Sequence, residues 1–243
     1  MFDLKKIKGI IFDYGGTIDS NGKHWSEVLW DAYRHQKVPV TKEQFREAYV
    51  YAERYLATNP VIETNDNFRI LLEKKVAIQM RNLIEKGFLK ECNKSEEYIL
   101  DISGQCYNFV KSLLKKEIVL LTALKSHYPM ILVSNFYGNV QAVLSDFGLS
   151  EYFDSVIESA VVGVRKPDPE IFRLGVKALG LEPSSVVVVG DSYTKDILPA
   201  SENGCRTVWL KGVGWDKDDD QEDAKADLII TDFMELKAVF QLD

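Results

Sequence analysis

Cysteine, basic charge and long apolar runs are all in short supply in this chain. Its three cysteines, Cys92, Cys106 and Cys205, are odd in number and share no metal-ligand spacing. That pattern argues against a disulfide framework and a zinc site, and for reduced thiols. Thirty Lys and Arg face 37 Asp and Glu, for a formal net charge of -7 and a pI near 5.2. Phosphate backbones require clustered cations, so a nucleic-acid partner is not expected. No stretch is long enough to span a bilayer, and Met1-Phe-Asp-Leu-Lys-Lys-Ile-Lys8 leads to the first strand without a secretory apolar region. No membrane partner is expected, and the expected compartment is cytoplasmic. The acidic stretch 216–223 reads as a solvated loop.

What is present is a chain of 243 residues with 46% hydrophobic content, enough for one large core or a core with an insert. The most informative segment is Gly9-Ile-Ile-Phe-Asp-Tyr-Gly-Gly-Thr-Ile-Asp19. Three apolar residues predict a buried parallel strand, and Gly15 and Gly16 permit a tight turn after it. Asp13 would then project from the carboxyl end of a sheet, where open α/β folds bind ligands.

Three later segments share that design. Ile131-Leu-Val-Ser-Asn135 is an apolar run ending in a hydroxyl and an amide. Gly163-Val-Arg-Lys-Pro-Asp-Pro-Glu-Ile-Phe172 places Lys166 just before a proline-started helix. Val186-Val-Val-Val-Gly-Asp-Ser-Tyr-Thr-Lys-Asp196 is a further apolar run leading to two carboxylates. Taken singly, each has an ordinary use: Asp13, Asp191 and Asp196 as caps, Ser134 and Asn135 as turn formers, Lys166 as an exposed lysine. Their convergence on one sheet edge favours chemistry.

Between the first strand and the rest, residues from about His24 to about Val110 carry helical periodicity. Thr41 with Gln44 predicts a capping box ahead of Phe45, Ala48, Tyr49, Ala52, Tyr55 and Leu56 on one face. Phe68, Leu71, Leu72, Val76, Met80, Leu83 and Ile84 form a second stripe closed by Gly87, and Tyr98 to Leu114 a third. From residue 118 onward helices and apolar strands alternate, which predicts a parallel sheet covered on both faces. The expected architecture is α/β: a Rossmann-like three-layer core of residues 1–19 and 111–243, interrupted by an all-helical cap of residues 20–110.

In their order and spacing the four segments resemble the four motifs of the haloacid dehalogenase superfamily of hydrolases, in its phosphoglycolate phosphatase and dehalogenase-like branch with a helical cap. The resemblance spans nearly the whole chain. It implies Asp13 as a nucleophile that forms an aspartyl-phosphate, and Mg²⁺ held by Asp13, the carbonyl of Gly15 and Asp191, with Asp196 orienting the ligands. It further implies Lys166 as the counter-charge, and Ser134, Asn135 and Thr17 around the phosphoryl group. The implied partner is a small phosphorylated metabolite.

One position departs from that pattern. Phosphatases of this superfamily carry an aspartate two residues after the nucleophile as general acid and base, and here the residue is Gly15. Such a group contributes about 10²- to 10⁴-fold, or roughly 3 to 5 kcal/mol of barrier. Three readings follow. The protein acts on phosphates with good leaving groups, or recruits a donor such as His24, His35, Tyr51, Tyr55 or Lys42. Alternatively it runs dehalogenase or phosphonatase chemistry, the latter with a cap lysine such as Lys23 or Lys42. As a third reading, it binds a phosphorylated ligand without turnover. Asp19 is expected to cap the first cap helix.

Overall fold

The computed structural model describes residues 3–90, 94–212 and 225–242, so Cys92 and the acidic stretch 216–223 lie outside the described residues. Six strands form one parallel sheet: β1 (Gly9–Phe12), β2 (Met130–Ser134), β3 (Ser155–Glu158), β4 (Val186–Gly190), β5 (Arg206–Leu210) and β6 (Leu228–Ile230). Their order is β3-β2-β1-β4-β5-β6, with Phe12 beside Leu132 on one side and Val189 on the other. The expected Rossmann-like α/β core is therefore present.

The uninterrupted apolar runs are explained by burial on both faces. Every residue of β1, β2 and β4 is buried, and the pleat sends alternate side chains to opposite layers. Ile10, Phe12, Leu132, Val187 and Val189 join the larger core. Ile11, Ile131, Val133, Val186 and Val188 pack instead with Ile171 and Phe172.

The helices are α1 (Trp25–His35), α2 (Lys42–Thr58), α3 (Phe68–Glu85), α4 (Ser95–Lys125), α5 (Val140–Asp146), α6 (Ser159–Val162), α7 (Glu170–Leu179), α8 (Leu198–Glu202) and α9 (Leu236–Val239). The Thr41 and Gln44 capping box forms as the sequence predicts. Helix α3 packs against both α2 and α4. The stripe ending at Leu114 and the helix read from residue 118 prove to be one 31-residue helix, α4. No glycine or proline breaks the chain at Lys115-Lys116-Glu117, and Glu117 is itself buried.

Glu117 yields a stability prediction. Both carboxyl oxygens are buried with no hydrogen-bond partner among the described residues. Burial, and then the charges of Asp19 and Asp232, push the carboxyl up to about 9. A raised carboxyl favours the folded state in its neutral form, so stability declines as pH rises from about 4.5 through about 9. Glu117→Gln is expected to be more stable than wild type at pH 8 by roughly 1–3 kcal/mol, with no gain at pH 4. Urea midpoints at the two pH values check this.

Candidate active site

The site forms where the carboxyl ends of β1, β2 and β4 meet the loop after α6. Asp13 follows β1 directly and its backbone N–H donates to Val189 O at 3.0 Å, so the carboxylate leaves the sheet at a fixed place. The chain then turns through Gly15 and Gly16, the latter at φ +100°. A Cβ at Gly16 would lie 2.3 Å from Asp191 Oδ2. Glycine is required there for both conformation and clearance.

Lys166 is the hub. Its Nζ lies 2.5 Å from Asp13 Oδ1 and 2.6 Å from Asp196 Oδ1, and all three side chains are 5% exposed or less. Burial opposes its charge, but Asp13 and then Asp196 outweigh that and hold the ammonium above lysine's ordinary range. Asn135 fixes the lysine's backbone: its Oδ1 accepts from Lys166 N at 2.9 Å and its Nδ2 donates to Lys166 O at 3.0 Å. Thr17 Oγ1 lies 3.4 Å from Asp13 Oδ2 and 3.3 Å from Asp191 Oδ1. Trp209 Nε1 donates to Asp191 O at 2.8 Å, and Ser192 N donates to Asp196 Oδ2 at 3.1 Å. Ser134 is buried at the end of β2.

Asp13, Asp191 and Asp196 each bring a carboxylate oxygen within 4.8 Å of the others. Burial pushes Asp13 up to about 6, against the pull of Lys166. Burial, reinforced by Asp13 and Asp196, lifts Asp191 well above the usual carboxylate range. One lysine does not balance this much negative charge, and hard carboxylate oxygens at this spacing fit a small divalent cation.

The structure thus brings Asp13, Thr17, Asn135, Lys166, Asp191 and Asp196 into one bonded cluster, with Gly15 and Ser134 at its edge. Several of the suggested side chains have other partners. Lys23 pairs with Asp31 and Lys42 with Glu27, while Tyr51 stacks on Tyr55. His35 lies at the end of α1, and His24 is the N-cap of that helix. Asp19 accordingly does not cap α1. Its Oδ1 accepts from Gly16 N at 2.7 Å and its Oδ2 from Trp25 Nε1 at 2.8 Å. Burial pushes this carboxyl up to about 7, against those two hydrogen bonds and with a contribution from Asp13.

Sequence reasoning also missed a partly buried ion pair. Lys75 of α3 reaches Glu53 of α2 at 2.6 Å, and Tyr137, from the loop after β2, donates to the other Glu53 oxygen at 2.8 Å. Helical spacing alone could not flag Lys75, because its value lies in a partner 22 residues away.

A haloacid dehalogenase-like hydrolase family model matches residues 7–204. The chain belongs to this family. Among its curated relatives, glyceraldehyde 3-phosphate phosphatase of Pyrococcus furiosus is 34% identical over 93 residues, 38% of this chain and 39% of that protein. Phosphoserine phosphatase of Thermus thermophilus is 41% identical over 63 residues, 26% of this chain and 25% of that one. The matches thus span about two fifths or less of these relatives' lengths. A solved dehalogenase with an intermediate complex shares the fold of this haloacid dehalogenase-like hydrolase over 100% of both chains, at TM-score 0.65 and 19% identity. The hydrolase YfnB of Bacillus subtilis, bound to magnesium, covers 97% of this chain and 99% of its own at TM-score 0.59 and 17% identity. Among the described residues no helix is long and apolar enough to cross a membrane.

Proposed function

We propose that this hydrolase is a Mg²⁺-dependent phosphatase that acts on a small phosphorylated metabolite through an aspartyl-phosphate on Asp13. The observation that carries the reading is the buried cluster in which Asp13 meets Lys166 at 2.5 Å and shares a 4.8 Å carboxylate group with Asp191 and Asp196. A site that only held phosphate would gain nothing from three carboxylates beside an anion. Relatives named for phosphatase activity support the substrate class.

Asp13 is the nucleophile, splitting one displacement into two. Lys166 lowers the cost of bringing an anionic ester to an anionic carboxylate, and Thr17 and Ser134 border the phosphoryl site. Asn135 acts by positioning Lys166. Asp13, the carbonyl of Gly15 and Asp191 would hold Mg²⁺, steadied by Asp196, and the ion would neutralise phosphoryl charge. Residues 20–110 act as a cap that excludes water and selects the substrate.

The test is release of phosphate from p-nitrophenyl phosphate and acetyl phosphate with Mg²⁺ and with a chelator. The expected result is turnover with the metal, lost on chelation by at least ~10²-fold. Halide release from 2-haloacids, with no phosphate release from either ester, would contradict the proposal.

A further inference from the structure

Residues 135–139 follow β2 and tie the catalytic edge of the sheet to the helices of the cap. On the core side, Asn135 holds Lys166 N and O at 2.9 and 3.0 Å, Phe136 N donates to Ser159 Oγ at 3.2 Å, and Gly138 N donates to Glu158 Oε1. On the cap side, Tyr137 Oη donates to Glu53 Oε2 at 2.8 Å, and Asn139 Nδ2 donates to Asp66 O at 2.8 Å. Phe136 and Tyr137 also pack against an apolar cluster of α2 and α3 that includes Ala52, Leu56 and Leu71.

Glu53 is a fixed acceptor for that tyrosine. Its Oε1 takes Lys75 Nζ at 2.6 Å, and Tyr49 faces it from the same helix. The carboxylate is therefore balanced within the cap, and the Tyr137 hydroxyl reaches it as a neutral donor from outside. The Glu53 side chain is 34% exposed, so water can replace the hydroxyl without leaving a charge stranded. What the bond mainly supplies is the place of the loop. Tyr137 and Asn135 are two peptides apart, a span of at most about 7 Å, so little slack separates the cap contact from the amide that holds Lys166.

We propose that Tyr137 is a positioning residue of this hydrolase: bonded to Glu53, it seats residues 135–139 on α2, and Asn135 in that loop then sets Lys166 against Asp13. The proposal rests on the phosphatase reading above. Lys166 Nζ serves the transition state only while it faces both Asp13 and the phosphoryl group, and a displacement of about 1 Å can cost on the order of 10²-fold. Without the hydroxyl, Asn135 relies on the core contacts alone, and the Lys166 backbone moves with it.

Tyr137→Phe keeps the ring against Phe136 and Lys75 and removes only the hydroxyl. With p-nitrophenyl phosphate and Mg²⁺, kcat is expected to fall by about 5- to 50-fold while KM changes by less than about threefold. Amide hydrogen exchange is expected to quicken across residues 135–139, with β1, β2 and β4 protected as in wild type. Glu53→Leu/Lys75→Met removes the acceptor and its counter-charge together. Its kcat is expected to match that of Tyr137→Phe, and adding Tyr137→Phe to it is expected to cost less than about twofold more. Wild-type kcat in folded Tyr137→Phe, a loss confined to KM, unchanged exchange in the loop, or losses that add in the triple variant would overturn the role of Tyr137 and leave the phosphatase reading standing. Absence of wild-type turnover on p-nitrophenyl phosphate would overturn both.

Discussion

Replacing Asp13 by asparagine is expected to lower the proposed metal-dependent phosphate release by at least ~10³-fold while leaving the protein folded. Asparagine is close to isosteric with aspartate, and its amide oxygen can still accept from Lys166 Nζ, the contact that fills the buried pocket at 2.5 Å. What it lacks is an anionic oxygen able to bond to phosphorus. Removing one of three crowded carboxylates also relieves repulsion, so metal-free stability is expected to hold or rise. Steady-state rates with p-nitrophenyl phosphate and thermal unfolding without metal check the two halves. A folded variant with more than a tenth of wild-type activity would show that Asp13 is not the attacking group.

Lys166→Met gives the second large effect, on rate and stability together. Methionine keeps the length of the side chain but leaves Asp13 and Asp196 without the ammonium that both contact. Breaking a buried pair from one side costs roughly 3–5 kcal/mol, and carboxylates that take up protons hold the loss toward the lower figure. Phosphate release is expected to fall at least ~10²-fold, because the phosphoryl group loses its fixed positive neighbour. Urea unfolding of the metal-free protein reads the stability change. Added Mg²⁺ is expected to recover part of it, through the same carboxylates. Unchanged metal-free stability would mean that Lys166 does not balance the cluster.

The parts of this site legible in the sequence are those tied to strand ends. β1, β2 and β4 are four or five residues long and wholly buried, so an apolar run and the polar residue that ends it mark both the strand and the sheet edge. Asp13, Ser134 and Asp191 were readable for that reason. Lys166 was readable only beside them, because its partners Asp13 and Asp196 lie 153 and 30 residues away in the chain. Asn135 was readable as part of the site but not in its contacts, since sequence cannot show that its amide is bonded to the Lys166 backbone.

Asp19 was misjudged for a different physical reason. A carboxylate shortly before a helix usually serves its N-terminus, but here residues 19–24 carry the chain far enough that His24 takes the cap. Asp19 instead folds back onto Gly16 and Trp25. The Glu53 and Lys75 pair and the unbroken α4 escaped similarly, since periodicity reports which face is apolar and not which polar residues find buried partners.

The central claim is that phosphorus becomes bonded to Asp13. Wild-type protein mixed with acetyl phosphate and Mg²⁺, quenched in acid within the first turnovers and digested, is expected to carry a phosphoryl adduct on the peptide containing Asp13, absent from Asp13→Asn and from the chelated sample. An adduct on another residue, or phosphate release with Asp13 unmodified at every quench time, would contradict the account.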